Sequence, residues 1–376
     1  MNSRQHIGKE RLLLLLSIAV PLIAADLALK ALQLPHSAAR TMLLAGSRLA
    51  TGQEGYRRYA SNRTLEQSAV YGNAIAYRYR YSSNNLGLVS SPNVGPKGPI
   101  QLAIAGDSFA EGQGGFAWIR DWQQQTLTPR GVVSINYAIA GSGFEDFAVV
   151  AQAAKQQHRA QKILVLMIEH DAYRPFQKMG SNDLCSYYSN GQLDQLLPAP
   201  LLCNLYGIVW HHVPDQLSEA ELIRASRSRQ NYGLLPAINQ LIQRLGQRRS
   251  HAPLPVQPQQ TAAQSQLRFG PIPKASLTAL DNIKRWYGPA NVLVVQLPDL
   301  GGNSSAFRKS LQKATGLRVL DLAASCPLSH AEFHKLDNHP NLRGYEKLLS
   351  CLKRNHTIRQ FALSPGLMAK PIRRTN

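Results

Sequence analysis

Several short stretches of this chain carry the residue types that nucleophilic chemistry needs. Ser108 sits in Ala103-Ile-Ala-Gly-Asp-Ser-Phe-Ala-Glu-Gly112, where an apolar run stops at Gly106-Asp107-Ser108 and opens into helix-compatible sequence. Asp337 and His339 stand two residues apart in Leu336-Asp-Asn-His-Pro-Asn341. Between these lie a glycine-bearing turn, Asn136-Tyr-Ala-Ile-Ala-Gly-Ser-Gly143, and a polar run, Glu169-His170-Asp171. A serine hydroxyl is a poor nucleophile until an imidazole accepts its proton. The imidazole in turn needs an acceptor that holds its tautomer and stabilises its cation. Ser108 is therefore the candidate nucleophile, His339 the base and Asp337 the orienter. Residues two apart in an extended segment point to the same side, and Pro340 favours that extension. Taken singly, Gly, Asp and Ser are ordinary turn residues, so the case rests on their convergence.

Convergence is a matter of which elements carry them. Apolar runs at 101–105, 132–137, 163–168, 291–297 and 317–322 alternate with amphipathic stretches. This alternation predicts a doubly wound, flavodoxin-like α/β fold. Five mostly parallel strands would form the middle of a three-layer α/β/α sandwich. Right-handed crossovers bring every strand's C-terminal end to one edge, and each of the four motifs follows a strand. The third and fourth strands are separated by a large insertion, 172–275. It holds Cys185, Cys203, an aromatic and histidine cluster from Tyr206 to His212, and a Pro/Gln-rich stretch, 251–266. The insertion is basic, with Arg224, Arg227, Arg229, Arg244, Arg248, Arg249, Arg268 and Lys274 against Asp215, Glu219 and Glu221, which makes it the first place to look for an acidic polymer. Residues 36–98 show little periodicity until Ala76-Tyr-Arg-Tyr-Arg-Tyr81, whose alternation predicts a strand with one polar face. The expected organisation is an anchor over 1–35, a membrane-proximal segment over 36–98 and a catalytic domain over 99–376.

Composition narrows the partners and the compartment. The chain carries 42 Lys and Arg against 22 Asp and Glu, a formal net charge of +20, which suits an anionic neighbour. It has no zinc-type Cys/His spacing, no glycine-rich phosphate loop and no basic motif interleaved with aromatics. No cofactor or metal is therefore expected, and nucleic acid is the weakest candidate partner. Arg4, Lys9 and Arg11 precede an apolar run from Leu12 to Ala25 broken only by Ser17 and Pro21, and an amphipathic extension continues to Leu34. A basic region followed by an apolar one predicts an uncleaved signal anchor. The chain would cross the cytoplasmic (inner) membrane once and leave its main domain in the periplasm. Cleavage after Ala24 or Ala25, or a buried core helix, are the alternatives. The four cysteines allow three pairings. Cys185 with Cys203 and Cys326 with Cys351 is the pairing that respects local sequence, with free buried thiols as the other reading.

These residues resemble the SGNH, or GDSL-type, hydrolase superfamily over roughly 76–171 and 290–355. Gly106-Asp107-Ser108 is similar to its nucleophile block, Gly141 to its second-block glycine, and Asp337 with His339 to its terminal acid and base. Tyr81-Ser-Ser-Asn-Asn-Leu-Gly87 resembles the strand and turn before the nucleophile in exported bacterial members. The resemblance implies an oxyanion hole built from the backbone N–H groups of Ser108 and Gly141 and a third side-chain donor. The family's asparagine at that third position is His170 here. Ala110 stands where many members carry threonine, and one residue separates Asp337 from His339 where many have two. The expected function is an extracytoplasmic serine esterase or O-acyltransferase acting on an acyl, chiefly acetyl, ester of a cell-envelope or secreted glycan. Its partners would be the acylated glycan, the membrane, and a membrane acyltransferase or polysaccharide-assembly proteins. The alternative is a module of the same fold that has lost turnover and binds or guides polysaccharide in a membrane assembly.

Overall fold

The computed structural model describes residues 17, 20–31, 40–47, 49–52, 55–89, 91–95, 99–174, 184–186, 208–229, 271–300 and 305–366. The chain enters through β1 (Arg40–Ala45), a ribbon of β2 (Ala50–Thr51) and β3 (Arg57–Arg58), and the hairpin of β4 (Thr64–Tyr71) and β5 (Ala74–Ser82). The central sheet follows, with β6 (Leu102–Gly106), β7 (Ser134–Asn136) and β8 (Lys162–Met167). Next come β9 (Leu184–Ser186) and β10 (Ile208–His212), then β11 (Val292–Gln296) and β12 (Val319–Asp321). A last hairpin pairs β13 (Phe333–His334) with β14 (Asp337–Pro340).

The central sheet runs β12-β11-β8-β6-β7 with every pairing parallel. That is the doubly wound order expected from the alternation of apolar and amphipathic runs. Its strands are apolar throughout because helices cover both faces. The helices Phe144–His158 and Lys274–Tyr287 pack on one face with Phe144, Phe147, Leu280 and Ile283. Trp118, Trp122, Tyr345 and Leu348 fill the other.

The N-terminal strands and the central sheet share buried core residues. A second sheet of order β5-β4-β1-β10-β9 joins the N-terminal strands to β9 and β10 from the insertion, with β1 parallel to β10 and the other pairs antiparallel. Tyr56, Tyr59, Leu65 and Tyr81 lie in the same buried cluster as Ala103, Ile163 and Val294 of the central sheet. Strand β1 hid from periodicity because it is buried on both faces: Met42 packs toward Tyr77 and Ala140, and Leu43 toward Leu222 of the helix Glu219–Arg229. Strand β5 fulfils its alternation. Tyr77 and Tyr81 are buried, whereas Arg78 and Arg80 on the opposite face pair with Glu66.

Cys326 is bonded to Cys351 on the helix Leu342–Arg354, with a sequence separation of 25. The closed loop contains Asp337 and His339. Changing both cysteines to serine is expected to cost about 3 kcal/mol. That loss would read as a lower urea midpoint at unchanged slope. Cys203 lies outside the described residues, as do Arg244, Arg248, Arg249 and Arg268. Residues 20–31 are helical, and among the described residues no helix is long and apolar enough to cross a membrane. Most of the expected anchor, 1–16, 18–19 and 32–35, is not among them.

Candidate active site

The turn after β6 is shaped by two residues. A Cβ on Gly106 would stand 2.4 Å from the Ala110 Cβ and 2.9 Å from the Leu166 carbonyl oxygen, so only glycine lets the chain turn this close to β8. Asp107 then caps the short helix Ser108–Glu111, its Oδ1 accepting from the Phe109 N–H at 2.9 Å. Ser108 is thereby held at the first helical position, at the C-terminal edge of the sheet.

Strand β14 delivers the partners. Asp337 and His339 are buried and Asn338 between them is exposed, as alternation requires. His339 Nε2 lies 2.7 Å from Ser108 Oγ, 231 residues away in sequence. On the other side of the ring, Nδ1 is hydrogen-bonded to Asp337 Oδ1, which also accepts the His339 backbone N–H at 2.9 Å. An ionised carboxylate only accepts, so Nδ1 carries the proton and Nε2 is left to take one from the serine. The Phe109 ring packs beside the imidazole with centroids 5.2 Å apart. A serine at the end of the first strand of this sheet is thus reached by a histidine and an aspartate from the hairpin after the fifth, the arrangement that a nucleophilic serine needs.

No protein-family model matches the chain, and no curated protein matches it. Solved structures similar to it include a lipase/acylhydrolase from Enterococcus faecalis, at 11% identity and TM-score 0.33, covering 72% of this chain and 100% of that one. An acetyl-xylooligosaccharide esterase from Geobacillus is similar at 11% identity and TM-score 0.33, covering 69% and 94%. A GDSL-like lipase from Bacteroides thetaiotaomicron is similar at 8% identity and TM-score 0.29, covering 68% and 86%.

Gly141 adopts a φ of 77°, a left-handed conformation that favours glycine. Its neighbours are held from several directions. Ala140 N–H donates to Glu111 Oε2 at 2.9 Å, Gly143 N–H to Asp146 Oδ2 at 2.9 Å, and Arg57 Nη2 to Ser142 Oγ at 3.2 Å. His170 lies in the short helix Glu169–Tyr173 after β8, and its Nδ1 is 3.1 Å from Asp299 Oδ2, beyond β11. With Nδ1 donating to that carboxylate, the neutral ring leaves Nε2 as an acceptor. His170 can donate from Nε2 only as an imidazolium.

Sequence reasoning missed the second layer around the triad, most of which comes from the N-terminal strands. The Tyr71 hydroxyl, at the end of β4, donates to Asp337 Oδ2 at 2.8 Å. Tyr71→Phe is expected to lower kcat about fivefold with little change in KM, since one neutral hydrogen bond contributes about 1 kcal/mol; steady-state kinetics on an aryl ester would check it. Tyr77 of β5 accepts from the Gln113 side chain and packs against His334. Burial lowers the pKa of His334, whose Nε2 donates to the Gly114 carbonyl at 2.9 Å.

Glu111 is 3% exposed and accepts from the Tyr59 hydroxyl at 2.8 Å. Burial, reinforced by Asp107, pushes its carboxyl from the ordinary 4.5 up to about 8, against the opposing pull of the Tyr59 and Ala140 hydrogen bonds and of Arg57. Between those two values the folded chain holds a proton that the unfolded chain has released. Stability from this group is therefore full below about pH 4.5 and falls as pH rises toward 8, by about 1 kcal/mol per pH unit. Urea titrations across that window should show the slope, and Glu111→Gln should flatten it.

Proposed function

We propose that the chain is a serine ester hydrolase or acyltransferase working through an acyl-enzyme on Ser108. The observation that carries the reading is the 2.7 Å approach of His339 Nε2 to Ser108 Oγ with Asp337 behind the ring. Ser108 Oγ attacks the ester carbonyl carbon while its proton passes to His339 Nε2. The charge that develops on the carbonyl oxygen is met by the backbone N–H groups of Ser108 and Gly141, with His170 as third donor in its charged form. Such donors are worth about 2.7 to 4 kcal/mol each when placed in advance. The tetrahedral intermediate then expels the alcohol, which takes the proton from His339. In the second half a water or a sugar hydroxyl gives its proton to His339 and attacks the acyl carbon. Ser108 Oγ leaves and regains a proton.

The finer reading is an acetyl ester of a cell-envelope or secreted glycan, handled outside the cytoplasmic membrane. Its support is the basic and apolar N-terminal sequence, the Cys326–Cys351 bond, which suits an oxidising compartment, and the resemblance of Gly106-Asp107-Ser108, Asp337 and His339 to exported members of the superfamily. The test is acetate release from 4-nitrophenyl acetate and from acetylated oligosaccharides, with and without an unacetylated glycan acceptor. Release that requires Ser108 supports the esterase; acetyl appearing on the acceptor supports transfer. Equal rates for the wild type and Ser108→Ala would overturn both. An inactive periplasmic reporter fused to the C-terminus would overturn the export assignment.

A further inference from the structure

A carboxyl buried as deeply as that of Glu111 must be matched by partners. Two of its partners belong to different parts of the fold. Tyr59 follows β3 in the N-terminal region, and Ala140 directly precedes Gly141 in the loop after β7. Glu111 itself lies three residues beyond Ser108 in the same helical turn. Before Ala140 the loop is tied to β6, with the Ile139 N–H donating to the Gly106 carbonyl at 3.3 Å, and further ties fall on residues after Gly141. The Arg174 guanidinium donates to the Ser142 carbonyl at 3.4 Å, Arg57 to the Ser142 hydroxyl at 3.2 Å, and the Gly143 N–H donates to Asp146 at 2.9 Å. Glu111 holds the residue before Gly141, and it does so from the nucleophile's own helix.

We infer that Glu111 is a positioning residue for acyl transfer. It ties the helix of Ser108 to the loop of Gly141, so that the serine oxygen and the two oxyanion amides keep one mutual geometry, and Tyr59 secures the joint to the N-terminal sheet. The inference rests on the reading of Ser108 and Gly141 given under Proposed function. Donors act on a transition state only if they are already in place, and a displacement of about 1 Å costs on the order of a hundredfold. A carboxyl presents an oxygen to the Ala140 N–H whether or not it is protonated. Glutamine keeps that oxygen and leucine removes it, leaving a buried N–H without its acceptor. Through Tyr59 this contact also gives the N-terminal region an indirect part in positioning the site, in addition to its share of the core.

The test compares Glu111→Gln, Glu111→Leu and Glu111→Asp in the full-length protein, by aryl acetate kinetics and by hydrogen exchange of the backbone at 138–143. Glu111→Leu is expected to lower kcat about thirtyfold with KM changed less than about threefold. Glu111→Gln should recover to within about fivefold of wild type. Exchange at Ala140 and Gly141 should quicken at least about tenfold in the leucine variant and stay near wild type in the glutamine variant. Should Glu111→Leu fail to fold, Glu111→Asp decides, since one methylene less withdraws the acceptor while keeping the carboxyl. Wild-type kcat and wild-type exchange in either folded variant would overturn the inference. Exchange needs no turnover. If Ser108 proves unreactive, the functional reading fails while the tie between helix and loop is still judged by exchange.

Discussion

Replacing His339 by alanine is expected to lower kcat toward aryl and sugar acetates by four orders of magnitude or more while leaving the fold intact. The Ser108 hydroxyl has two polar neighbours, His339 Nε2 at 2.7 Å and Asp107 Oδ2 at 3.2 Å. Only the imidazole can accept a proton and later return it to a leaving alcohol. Asp107 is already engaged by the Phe109 N–H and by Arg174, and it lies too close along the chain to serve the leaving group. Without His339 the attack must be made by a neutral hydroxyl. The activity that survives is then what the oxyanion donors provide, about 10³-fold over water in well-studied triads. Asp337→Asn should fall almost as far. An amide can present its N–H₂ to Nδ1, which then becomes the acceptor, and Nε2 is left protonated and unable to take the serine's proton. Tyr71 would still hold the side chain at Oδ2, so the loss belongs to the tautomer rather than to a displaced residue.

The second large effect is on stability. Arg174 lies 3.3 Å from both Asp107 and Asp171, and the three side chains are almost wholly out of solvent. One cation between two buried carboxylates leaves the cluster short of positive charge. Burial, with Asp107 as the next cause, accordingly raises the Asp171 carboxyl well above its usual range, Arg174 opposing. Arg174→Met keeps much of the volume and removes the cation ion-paired to both carboxylates. It is expected to destabilise the fold by about 3 to 5 kcal/mol near neutral pH, because a buried charge stripped of its partner is costly. The deficit should shrink on acidification. In the variant the Asp171 carboxyl, already raised by burial, loses the cation that opposed the shift, so lowering the pH favours the folded state. Urea midpoints for wild type and variant at pH 5 and pH 8 would show this. A deficit that does not change with pH would mean that packing around Arg174, rather than its charge, carries the effect.

How much of this was legible in the sequence differs from residue to residue. The central strands were readable because each is a short run of Val, Ile and Leu bounded by turns, and the doubly wound order followed from the crossovers. Asp337 and His339 were readable because alternation in an extended segment is a local rule that β14 obeys. The helix Leu342–Arg354 buries Tyr345, Leu348, Leu349 and Leu352 at helical spacing, while Leu342 at its first turn is 54% exposed. What the sequence did not disclose is non-local. The pattern Tyr77-Arg-Tyr-Arg-Tyr81 announced a face of tyrosines but not that it would back the active site. Tyr71 and Asp337 are 266 residues apart, and neither residue type advertises the other. The β1 run Thr-Met-Leu-Leu-Ala lacks alternation because it is covered on both faces, so the N-terminal region read as a spacer. Glu111 carried no signal of its burial, because a four-residue helix is too short to show which of its faces is buried.

The most direct test of the account is the mass of the intact protein after reaction with a fluorophosphonate. The account predicts a gain of one phosphonyl group on the peptide that contains Ser108, no gain in Ser108→Ala, and a rate at least about a thousandfold slower in His339→Ala. A folded wild-type protein that stays unmodified, or a modification that persists in Ser108→Ala, would contradict it.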